Sequence, residues 1–368
     1  MALALLISSI VIIICVLFNR VSNKIGIPVL IAFIGLGMLF GSDGILKIQF
    51  ENYGFAEKIC SVALIFIMFY GGFGTNWKEA RPVAAKSIFL STLGVVATAG
   101  LTGIFCYYIL HFPFLESMLV GSVISSTDAD SVFSILRSKK LGLKENTASL
   151  LEIESGSNDP CSYMLTAIML SLIQGKASGI QTAYLIFAQF AYGLALGFAI
   201  AFAAKFFLRK FRFTTEGFDA AFVLAIAVLA YALPSLIDGN GYLSTYIVGI
   251  ILGNSDIKNK KSMVHFFDGV TGLMQMLIFF LLGLLSSPSA LPSVFPQALA
   301  ISLFMIIIAR PIVIFGILSP MKCSIRQQLL VSWSGLRGAA SIVFAIMAVV
   351  SVLSLIHISE PTRRRGIS

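Results

Sequence analysis

Charge is what this sequence has least of. Asp, Glu, Lys and Arg together make up 12% of its 368 residues, against 58% hydrophobic residues, and the mean hydropathy is +0.94. That leaves too little polar surface for a soluble domain, and the soluble classes are excluded. Histidine is scarce as well. His111, His265 and His357 form no HExxH or triad-like pattern, so a metal- or serine-dependent intramembrane hydrolase has no support. Five cysteines (Cys15, Cys60, Cys106, Cys161, Cys323) are scattered, mostly through apolar segments. No CxxC or metal-ligand spacing occurs among them, which argues against a disulfide framework. The net charge of +9 lacks a basic patch. The basic residues fall in short loops, which is a topology signal rather than a nucleic-acid surface. No cofactor motif is present.

What the chain does have is a succession of apolar runs of about 20 residues, the length that crosses a bilayer as a helix. Twelve spans are predicted, at about 1–18, 26–41, 56–70, 83–109, 114–136, 146–173, 180–208, 218–237, 242–253, 264–285, 294–318 and 327–352. The first lacks the basic start of a secretory signal and is read as a span, a cleaved signal being the alternative. Alternate loops hold most of the 26 basic residues: Arg20 and Lys24; Lys78, Arg81 and Lys86; Arg137, Lys139, Lys140 and Lys144; Lys205, Arg209, Lys210 and Arg212; Lys258, Lys260 and Lys261; Lys322 and Arg326. The opposite loops hold only Lys47, Lys58 and Lys176. The positive-inside rule puts the first set in the cytoplasm and the N-terminus outside.

The polar exception is Leu150 to Thr166, LLEIESGSNDPCSYMLT. Carboxylates at bilayer depth are costly and persist mainly where they face a cavity, a partner or an ion path. On a helix Ser155 and Asp159 share one face, and Glu154 and Asn158 share the next. Asp159 can then offer oxygen to a cation beside the Ser155 hydroxyl, while Glu154 and Asn158 point to a structural partner. Pro160 has no N–H to donate, which frees the Gly156 carbonyl. One carboxylate, one hydroxyl and one loose carbonyl suit a hard cation. The alternative for Asp159 is a structural ion pair with a distant Arg.

Two further spans are interrupted, the fifth by SSTDADS (125–131) and the twelfth by SGLRGAAS (334–341). Broken spans in corresponding halves point to a transporter with inverted repeats and a midplane site. An acid near half-helix N-termini and a base near C-termini would offset the exposed dipole ends. Ordinary kinks at Gly and Ser are the alternative. Taking about 1–175 as repeat one and about 180–208 as a linker helix leaves about 217–352 as repeat two, without a counterpart of the sixth span. Within the tail, 353–368, LSLIHISEPTR (Leu353 to Arg363) resembles the translation of a transposon adapter used in sequencing libraries. The expectation is a truncated gene fused to adapter sequence, a non-native tail, an ordinary basic tail being the alternative.

TDADSVFSILRSKKLGLKENTASLLEIESGSNDP, Ala309-Arg310-Pro311 and GLRGAAS together closely resemble the NhaP-like monovalent cation:proton antiporters, nearest to the bacterial potassium/proton type. GIPVLIAFIGLGMLFGSDG (Gly26 to Gly44) adds to the likeness. The resemblance implies an all-α polytopic membrane protein with the inverted-repeat antiporter fold, thirteen spans of which about twelve are present, and a homodimer in the bacterial cytoplasmic membrane. It implies exchange of K+ or Na+ for H+, with both ions competing at Asp159, and with Ser155, Asn158, Thr127 and Asp128 in the ion site. It also implies a Glu154–Arg337 ion pair and a supporting Arg310. Asn158 before Asp159, in place of paired aspartates, implies electroneutral exchange. Two departures bear on ion coordination: Tyr70 stands before Gly71-Gly72 where an acid is frequent, and Asp130 is an extra acid. A cation channel and an inactive fragment of the antiporter are the competing readings. No TVGYG-like filter favours the channel.

Overall fold

The computed structural model describes residues 6, 9–17, 29–128, 132, 143–176, 178–211, 217–257 and 259–364, with side chains for all of these except Val29 and 354–364. Asp130, most of the second half of the fifth span, and Arg20, Lys24, Arg137, Lys139, Lys140, Arg212 and Lys258 lie outside the described residues.

Regular structure among the described residues is helical throughout. After a helical stretch at 9–17 come α1 (Val29–Phe40), α2 (Tyr53–Gly74), the short α3 (Trp77–Ala80), α4 (Ala84–Ile109), α5 (Phe114–Val123) and α6 (Thr147–Ile173). They are followed by α7 (Gly179–Lys210), α8 (Phe218–Ser235), α9 (Gly241–Gly253), α10 (Lys260–Leu285), α11 (Pro288–Leu318), α12 (Ile325–Trp333) and α13 (Ala339–Arg364). Side chains set several starts. Asn52 accepts from the Phe55 amide at α2, Ser178 and Gln181 form a capping box at α7, and Ser324 accepts from the Gln327 amide at α12.

Six helices, α2, α4, α7, α8, α10 and α11, are long and apolar enough to cross a membrane. At 27 residues α6 is long enough too, but its cluster of carboxylates, serines and Asn158 makes it a helix that lipid alone would not accept. Accordingly Glu154, Asn158, Asp159 and Ser162 are buried in protein. Both predicted interruptions are present: α5 stops at Val123 and residues 125–128 are non-helical, and 335–338 separate α12 from α13. The last helix runs on to Arg364, past the end at 352 drawn from the apolar pattern.

One large apolar cluster joins α1, α2, α7, α8, α9, α10 and α13, with Phe69, Phe267, Tyr242 and Phe344 at its centre. A smaller one (Val83, Leu90, Leu150, Leu151, Ile314, Leu318, Val331) ties one end of α4, α6, α11 and α12 together. Two wide π turns, Leu90–Gly94 in α4 and Met305–Ala309 in α11, interrupt the regular winding. The second immediately precedes Arg310-Pro311, where Pro311 cannot donate to the preceding turn.

Candidate functional site

The two interrupted spans cross, and their backbones bond to each other: the Asp128 amide donates to the Leu336 carbonyl at 2.7 Å. The approach requires Gly338, where a Cβ would stand 2.5 Å from the Asp128 Cβ. The crossing also exchanges charges. Arg337, from the second break, donates to the Ser125 and Ser126 carbonyls (3.3 and 2.7 Å) just beyond the C-terminus of α5, and touches the Met305 sulfur. Asp128, from the first, lies against Gly338 at the N-terminus of α13. Each free helix end thus meets the sign of charge that its dipole favours.

Helix α6 lies alongside the first break and is stitched to it by one stripe of side chains, at 155, 158, 159 and 162. Ser155 Oγ donates to the Thr127 carbonyl (3.1 Å), Asn158 Nδ2 to Thr127 Oγ1 (2.5 Å), and Ser162 Oγ to the Ser122 carbonyl (2.6 Å). Ser126 Oγ donates to Asp159 Oδ1 at 2.5 Å. That spacing, i, i+3, i+4, i+7, is one helix face. It replaces the backbone bonds that the broken segment loses, as irregular backbone at membrane depth requires.

Asp159 is 8% exposed, and it reaches a cavity of about 200 Å³ lined also by Thr127, Asp128, Glu152, Ser155, Gly156 and Gly338. Four of the five residues expected in the ion site therefore converge on one space: Asp159, Ser155, Thr127 and Asp128. The fifth, Asn158, is fully buried and does not line it. Its amide is held by Thr127, with Glu154 Oε1 at 3.5 Å.

The expected Glu154–Arg337 ion pair is corrected. Glu154 pairs with Arg310, whose forked guanidinium donates to Oε1 at 2.9 Å and Oε2 at 3.2 Å, both residues being buried. The reason is geometric. Glu154 faces away from the cavity, toward α11, whereas Arg337 is drawn to the orphan carbonyls of the first break. Thr127 Oγ1 donates to Glu154 Oε1 (3.2 Å) and so joins the pair to the site. Arg310 lies beside the second break, where a Cβ at Gly335 would stand 2.9 Å from its Nε. Three contributors were not singled out by the sequence pattern. Ser126 had a signal, its place in the break. Glu152 had one too, lying i−7 from Asp159. Asn240, which donates to the Pro160 carbonyl at 2.8 Å, had none, since it comes from a connection 80 residues away.

The family described as sodium/hydrogen exchanger, transmembrane, matches residues 7–356. The chain belongs to the sodium/hydrogen exchanger family. It is 36% identical over 345 residues to the K(+)/H(+) antiporter NhaP of Alkalimonas amylolytica, covering 94% of this chain and 60% of that protein. It is 33% identical over 342 residues to the K(+)/H(+) antiporter NhaP2 of Shewanella sp. (strain ANA-3), covering 92% and 59%. The chain thus spans about three-fifths of the length of these relatives. The fold matches the sodium proton antiporter MjNhaP1 of Methanocaldococcus jannaschii with a TM-score of 0.86 at 23% identity, over 97% of this chain and 91% of that one. This exchanger-family chain is a multi-pass, all-helical membrane protein.

Proposed function

We propose that the chain is the membrane domain of a secondary transporter exchanging a monovalent cation, K+ or Na+, for H+, with both ions competing for Asp159. The observation that carries this is a buried, cavity-lining carboxylate at the crossing of two broken helices, surrounded by oxygen groups of Thr127, Asp128 and Ser155. Hard cations favour such oxygen sets. A proton and a cation each neutralise the same carboxylate, so binding one expels the other. If the ion-bearing body moves only when Asp159 is neutral, the two fluxes run in opposite directions. The neutral Asn158 beside Asp159 supports electroneutral, one-for-one exchange.

The lining of the cavity extends from Asp159 toward Glu152 and Gly74, the ends of α6 and α2 that adjoin basic loops. With those loops in the cytoplasm, the N-terminus is outside and this cavity faces inward. A homodimer in the bacterial cytoplasmic membrane is part of the same reading, supported by the family relationship.

The test is dissipation of a pH gradient in everted vesicles on adding K+ or Na+, using the full-length protein. Asp159→Asn keeps the shape of the site but cannot ionise, and it is expected to abolish exchange at normal membrane abundance. Near-normal coupled exchange would remove Asp159 from the central role, and single-channel currents would favour a channel.

A further inference from the structure

A second cavity, of about 250 Å³, lies beyond Asp159 along α6, where that helix meets α7 and the connection between α8 and α9. Asp159 does not line it. Tyr163, one helical turn further on, does, and it packs edge-on against Tyr242 (ring centroids 5.0 Å apart) and against Phe344 (5.8 Å). The other polar groups on the lining are Ser171 of α6, Gln189 of α7, Ser235 at the end of α8, and Asp238 just after it. Among the described residues no Lys or Arg lines this space. Gln189 stands in the third turn of an otherwise apolar stretch of α7 and is 8% exposed, and its side-chain oxygen has no hydrogen-bond partner among the described residues. A buried acceptor without a donor is costly at that depth and points to a ligand that the cavity admits. Its surroundings are fixed. The Gln189 carbonyl accepts from the Asn240 amide (3.2 Å), and a Cβ at Gly239 would stand 2.9 Å from the Tyr192 Cβ. Those contacts seat the turn at Asp238, where φ is 60°, against α7.

The chemistry of the lining is that of acceptors: a carboxylate, an amide oxygen and hydroxyls. Ser235 Oγ gives its hydrogen to the Tyr231 carbonyl (2.7 Å), which leaves its lone pairs for the cavity. An all-oxygen set with a single formal charge suits a hard, partly hydrated monovalent cation, whereas a divalent ion would want more carboxylates. We propose that this cavity is a second cation site, held by Asp238 and Gln189 on the face opposite the basic loops, and that it loads K+ or Na+ from outside. Tyr163 and its aromatic partners separate it from Asp159 in the conformation seen here. The loading role deepens the exchange reading and rests on it; the binding of a cation here does not.

Leu185 lines the cavity and adds no side-chain oxygen to it, so Leu185→Cys in full-length Cys323→Ser protein is the reporter. Right-side-out vesicles are treated with a membrane-impermeant thiol reagent in potassium, sodium or choline chloride at equal ionic strength. Labelling in choline is expected, with slower labelling in potassium or sodium. Asp238→Asn and Gln189→Met should each raise the half-protecting concentration by about fivefold or more. Both should fold: Asn is at ease at a positive φ, and Met keeps the length of Gln without its oxygen. Where one fails to reach the membrane, the other decides. Asp159→Asn should leave protection unchanged. No labelling, equal labelling in the three salts, protection that Asp159→Asn removes, or protection unchanged in either cavity variant would overturn the site. In exchange assays the cavity variants should raise KM for cation added outside, in right-side-out vesicles, and not for cation added to everted vesicles. An unchanged external KM, or equal shifts on both faces as a merely structural role would give, would overturn the loading role. Exchange that survives Asp159→Asn would overturn the exchange reading instead, and protection would still report the site.

Discussion

The Ser126 side chain touches Asp159 through a 2.5 Å hydroxyl–carboxylate bond. Hydrogen bonds to charged groups contribute about 1.5–3 kcal/mol. Ser126→Ala is therefore expected to weaken apparent cation affinity by about tenfold or more in vesicle titrations, with normal membrane abundance; an unchanged KM would show that this bond has no part in ion binding. Glu154 and Arg310 sit at the same scale with a different job. Removing one partner of a buried pair leaves an uncompensated charge, at a cost of about 3–5 kcal/mol. Glu154→Gln and Arg310→Gln should each lower the melting temperature in detergent, and the double variant should be more stable than the sum of the two losses implies. Glu154→Gln combined with Arg337→Gln should show far weaker coupling. Equal coupling in both cycles would restore the Glu154–Arg337 pairing.

Among the elements, the two breaks matter most, because each satisfies the other's exposed ends. Gly338→Ala puts a methyl group into the Asp128 side chain at the crossing. Overpacking of this kind costs about 1–3 kcal/mol, and here it also displaces a cavity-lining carboxylate. Loss of exchange with a lowered melting temperature is expected, and wild-type transport by Gly338→Ala would show that the crossing tolerates separation. Away from the ion site, Asp43 in the loop after α1 accepts from the amide and hydroxyl of Ser289 (3.1 and 2.5 Å) at the start of α11. Those bonds hold its carboxyl below the usual value of 3.8. A lowered folded-state value means that the tie is present above the unfolded value and is lost as pH falls through the folded one. Hydrogen exchange should find the Ser289 amide protected at about pH 5 and exposed only at pH values below 3.8. Loss of protection at about pH 5 would contradict it.

For the molecule as a whole, the decisive matter is which side the cavity opens to. Glu152 lines it, whereas Cys15, Cys60, Cys106 and Cys161 are buried. In a Cys323→Ser background, Glu152→Cys should react with a membrane-impermeant thiol reagent added from the side of the Lys78–Arg81 loop, and not from the other. Labelling from the opposite face alone would reverse the proposed orientation. Cation added from the reactive side should protect against labelling, since it occupies the same space.

Thr127 and Asp128 were placed with Ser155 and Asp159 only by the family resemblance of their motifs, whereas the sequence by itself determined the membrane class, the span pattern and both interruptions. Each of these follows from local facts: run length, helical periodicity, and the cost of polar groups in lipid. Tertiary structure decided the partners. Glu154 had two arginines within reach of any sequence argument, Arg310 and Arg337, and only the crossing of the breaks assigns one to the carboxylate and the other to the orphan carbonyls of Ser125 and Ser126. The family resemblance puts Asn158 in the ion site, but its amide is taken up by Thr127, with Glu154 beside it, and it does not line the cavity. Asn240 carries no local signal at all. It reaches the site because α9 packs against α6, and side chains distant in sequence meet only where the packing brings their helices together.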